Sequence, residues 1–97
     1  MPTTLTNATA EIADLTTRYS AVAGRASTLR AALAQIEREI VAINEAVDAE
    51  VDGAEVDFAR LPALRAERNR LANLLAPLSA EEQYTTRALA AYGITTP

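Results

Sequence analysis

The chain has 97 residues and a formal net charge of -4, with nine basic residues that are all arginine and no cysteine, histidine, lysine or tryptophan. That length holds one domain at most, and without histidine or cysteine the usual bases, nucleophiles and soft metal ligands are absent. An acidic surplus has the wrong sign for nucleic acid, and no apolar run reaches the roughly 18 residues of a membrane span.

The N-terminal Met1-Pro2-Thr3-Thr4-Leu5 has neither the basic stretch nor the apolar core of a signal peptide. The expected location is therefore cytoplasmic or within a protein assembly. From Leu5 to Glu50 the sequence carries a heptad pattern. The a positions read Leu5, Ile12, Tyr19, Ala26, Leu33, Ile40 and Val47, and the d positions Ala8, Leu15, Val22, Leu29, Ile36, Ile43 and Glu50. Only Glu50 is polar. A narrow seam repeating every 3.5 residues predicts a left-handed supercoil against another helix. The abundant alanine between seam positions favours helix. A first helix over about residues 5–51 is about 70 Å long.

Gly53 is the expected stop, in the left-handed C-cap conformation. The turn covers about 52–61. Within it Asp57 is the expected N-cap, with Val56 stapled to Leu61. Asp48, Glu50, Asp52 and Gly53 resemble the first half of a calcium loop, but the closing bidentate position is Ala59. The expectation is no metal and no cofactor.

The return arm spans about 62–92. Pro62 falls in its first turn, and Leu61, Leu64, Leu71, Leu75 and Leu78 form its apolar stripe, with Arg68 intruding. Pro77 kinks it, Ser79 and Glu82 restart it with a capping box, and Gly93 followed by Ile94 ends it. Laid antiparallel on the first helix, Leu71 meets Ile40, Leu89 meets Val22, and Tyr92 stacks on Tyr19. The arginines Arg60, Arg65, Arg68 and Arg70 then face the acidic stretch from Glu37 to Glu50, and Arg25 and Arg30 face Glu81 and Glu82.

The expected fold class is therefore all-α, an antiparallel coiled-coil helical hairpin of one long helix, an acidic turn and a kinked return arm of two helical segments. In that register Leu5, Ile12 and Leu15 run past the end of the return arm, and an uncovered apolar strip marks an interaction site. With Tyr19 at the edge of the overlap and Arg68 on the seam, these are the candidate interaction residues. No catalytic residue is expected, because paired carboxylates need a cleft that a hairpin does not offer. The expected function is that of a non-enzymatic structural or assembly protein, of the kind found in phage virions and similar assemblies. It would self-associate or dock into a larger complex through coiled-coil packing, with protein partners, a homo-oligomer among them, and no nucleic acid or membrane. The alternatives are a partner-binding adaptor or chaperone-like module and a small secreted helical-hairpin protein.

Overall fold

The computed structural model describes residues 2–97, with side chains from residue 8 onward. Among these residues there are three helices and no strand: α1 (Pro2–Asp48), α2 (Ala54–Phe58) and α3 (Leu61–Ala90). The fold is an all-α helical hairpin, in which α1 packs antiparallel against the α2–α3 side. The chain falls into two compact units. One comprises residues 1–27 and 76–97, the other residues 28–75.

In the second unit the core is built on Ile40, Ile43 and Leu61, with Ile36, Val47 and Leu64 packed against it. Leu71 and Ala54 are also buried there. In the first unit Leu15, Val22, Ala26, Thr85 and Leu89 are buried. The α1 residues among these follow the heptad positions read from the sequence, because only one narrow stripe of a straight helix can face a neighbour.

Helix α1 ends at Asp48, three residues short of the expected end near residue 51, and without glycine. The amide of Val51 donates to the Ala46 carbonyl at 3.0 Å and that of Glu50 to Val47 at 3.0 Å. This is a Schellman pair, and the left-handed position it needs is taken by Glu50 at φ 55. Gly53, at φ 83, serves instead as the N-cap of α2, with no side-chain cap bond. Asp57 accordingly sits inside α2, not at its start. Holding a side chain in the left-handed region costs about 1–2 kcal/mol, and an acid beside the negative end of a helix dipole adds to this. Glu50→Gly is therefore expected to stabilise the protein, by about 1 kcal/mol, as measured by chemical denaturation. An unchanged or lower midpoint would show that Glu50 is not strained.

Pro77 does not interrupt the return arm, since α3 runs unbroken from Leu61 to Ala90 with Pro77 inside it. Proline removes one backbone donor, the one that would reach Asn73. Asn73 is exposed, so water can satisfy its carbonyl. Ser79 thus lies within the helix and caps nothing. At the far end the sequence signature is realised. Ile94 donates to the Leu89 carbonyl at 3.0 Å and Gly93 to Ala90 at 2.9 Å, with Gly93 at φ 78.

The register differs from the expected one by about one heptad, roughly seven residues. Ile40 packs with Leu61 and Leu64, where Leu71 was expected. Arg18 meets Glu81, and Tyr92 meets Glu11 in place of Tyr19. Apolar positions recur every seven residues, so a slip of one heptad again lays apolar on apolar. The turn breaks this degeneracy. Ending α1 at Asp48 and tucking α2 in by its buried Ala54 brings Leu61 over Ile40 and Ile43, away from Glu50.

Candidate interaction surfaces

The register decides what becomes of the residues expected to form an overhang. Leu15 is 3% exposed and covered within its own chain, in the same unit as the buried Leu89. Ile12 is half-buried. The strip expected to lie open at these two positions is therefore largely closed. Leu5 lies outside the residues whose side chains are described. Tyr19 is half-buried, and its hydroxyl donates to the main-chain oxygen of Pro97 at 3.0 Å. The expected stack with Tyr92 does not form. Arg68 is half-buried at its seam position and makes no ion pair among the described residues.

Tyr92 reaches across to α1, where its hydroxyl donates to the Glu11 carboxylate. That hydrogen bond holds the phenolic proton and raises the Tyr92 pKa above its usual value near 10, with desolvation and the Glu11 charge acting in the same direction. The folded state thus favours the protonated phenol. This contribution is complete below about pH 10 and fades as pH rises through the higher folded-state value. Ultraviolet titration is expected to show part of the phenolate absorbance developing late, and Tyr92→Phe removes that part. If the late component survives the substitution, the bond to Glu11 is absent in solution.

Arg18 organises the neighbouring patch. Its Nε and Nη2 donate to Glu81 Oε1 at 3.1 and 2.5 Å, its Nη1 lies 3.8 Å from Asp14, and its guanidinium stands 5.6 Å from the centre of the Tyr84 ring. The hydrogen bond that Arg18 donates to Glu81, then the Glu81 charge, raises the Arg18 pKa above its ordinary value. All these groups are solvent-exposed, so the cluster sets register more than it adds stability. In the other unit Arg60 bridges Asp57 at 3.8 Å and Glu39 at 4.0 Å, and Arg70 pairs along its own helix with Glu67 at 2.5 Å. The acidic face is therefore met by Arg60, while Arg65 makes no ion pair among the described residues.

The turn holds three exposed apolar groups of the second unit. Val56 is 73% exposed, Phe58 50%, and Val51 is also open. The staple expected between Val56 and Leu61 is absent, because α2 directs Ala54 into the core and leaves Val56 on its opposite side. Around them stand Glu50, Asp52, Glu55 and Asp57. A shallow hollow of about 450 Å³ opens between Val47, Val51, Asp52 and Glu55. Among the described residues no three carboxylates gather as a metal ion would require. Sequence reasoning passed over this apolar cluster. The available signal was three large apolar residues within a short acidic linker, where loop positions are ordinarily polar.

Comparison of the chain with protein-family models, with curated proteins and with solved structures finds no significant match.

Proposed function

We propose that this protein is a structural or assembly component without chemistry of its own, which works by presenting helix surface to other protein chains. The observation that carries this reading is the exposure of Val51, Val56 and Phe58 together at the turn. Burying a Val or Phe side chain is worth about 1.5–3 kcal/mol, so three left in water within eight residues favour a covering partner. The buried core of Ile40, Ile43 and Leu61 in the same unit supplies a packed support, and the polypeptide lacks the histidine and cysteine on which most side-chain catalysis relies.

The test places a photo-crosslinking residue at Val56 or Phe58 in the cells that make the protein, with exposed Ala72 as the control position. A discrete higher-mass adduct formed from the turn but not from Ala72 is expected. No adduct from either turn position, with the protein folded and abundant, overturns the reading. An adaptor differs in being monomeric until its partner arrives, which sedimentation of the isolated chain distinguishes.

A further inference from the structure

A second unpartnered surface lies on the outer face of α1, within the unit of residues 28–75. Opposite the core stripe of Ile36, Ile40 and Ile43, a hollow of about 390 Å³ is lined by Ala34, Glu37, Arg38, Val41, Ala42 and Glu45. These residues form two successive sets at spacing i, i+3, i+4, i+7. The first is Ala34, Glu37, Arg38 and Val41, and the second Arg38, Val41, Ala42 and Glu45. Four residues in this arrangement make the hole that receives a knob from a facing helix. The small Ala34 and Ala42 leave the holes empty, and among the described residues no side chain fills them. Val41, on the same face, is a knob without a hole, 53% exposed.

We infer that a second copy of this chain packs here, antiparallel, about a two-fold axis between Val41 and Ala42, each Val41 entering the hole beside the other's Arg38 and Glu45. Charge selects this occupant and orientation. Arg38 donates to Gln35 at 2.8 Å along its own helix and makes no ion pair among the described residues; nor does Glu45. Counting outward from the axis, Arg38 of one copy lies opposite Glu45 of the other, and the symmetry produces this pair twice. A parallel arrangement would set Arg38 against Arg38 and Glu45 against Glu45, which like-charge repulsion disfavours. Two turns of helix bury less than the about 1,000 Å² typical of a stable complex. The dimer is therefore weak and concentration-dependent.

Sedimentation equilibrium of the full chain from about 10 μM to about 1 mM tests this. The wild type is expected to dimerise within that range. Arg38→Glu and Glu45→Arg are each expected to raise the dissociation constant at least about tenfold, and the double reversal to restore it. Val41→Ser, which leaves the charges in place, is expected to weaken association as well. All three positions are exposed, so melting temperatures should stay close to that of the wild type. A wild type that remains monomeric throughout overturns the inference. So does association indifferent to Arg38→Glu and Val41→Ser, or a double reversal that fails to rescue. The inference rests on the assembly role proposed above and names self-association as one form of it. Docking through the turn is tested separately by crosslinking at Val56, so the two can fail independently.

Discussion

Leu61→Ala is expected to lower the unfolding free energy by about 2–5 kcal/mol, the largest loss from any single truncation in residues 28–75. Leu61 is 1% exposed and packs directly with Ile40 and Ile43, with Ile36, Val47 and Leu64 around them. As the first residue of α3 it also joins the turn to the core, so no helix backbone precedes it to close over a cavity. Domains of this size have about 5–15 kcal/mol in all, so the variant should approach half-unfolding near physiological temperature. Val56→Ala, five residues away and open to water, should stay within about 0.5 kcal/mol of the wild type. Urea denaturation of both measures the contrast. In the register one heptad away, Leu61 would lie opposite Glu50 at the edge of the seam, and its truncation would be inexpensive. A loss below about 1 kcal/mol would therefore count against the observed register.

Leu15→Asn is expected to act on folding rather than on association. Removing a buried leucine costs about 2–5 kcal/mol, and an amide without partners in its place adds about 1–3 kcal/mol. At 3% exposure, Leu15 has its cover within its own chain. The variant should melt far below the wild type, with loss of helix signal in circular dichroism. The same change at half-buried Ile12 should cost less. If Leu15→Asn melts like the wild type but sediments at lower mass, Leu15 faces another subunit and the return helix does not cover it.

Much of this molecule was legible before any coordinates. The heptad from Ile12 to Val47 marks the face of α1 that is buried, and its 3.5-residue period requires a facing helix. Gly53 and Pro62 locate the turn, and Gly93 with Ile94 closes α3 as their residue types dictate. These features are local, decided by backbone preferences and by apolar spacing within a few turns of helix. What the tertiary structure decided is non-local. A heptad seam looks the same after sliding by seven residues, so the apolar pattern leaves the register open. The geometry of residues 49–60 selects it. Glu50 takes the left-handed position that Gly53 could have held more cheaply, because this lets α2 bury Ala54 and deliver Leu61 onto Ile40 and Ile43. That one choice covers Leu15, separates Tyr19 from Tyr92, and leaves Val56 and Phe58 in water. Pro77 stays helical for a similar reason: the packing of Leu71 and Leu89 on either side outweighs a single lost hydrogen bond, a balance that local preference cannot register.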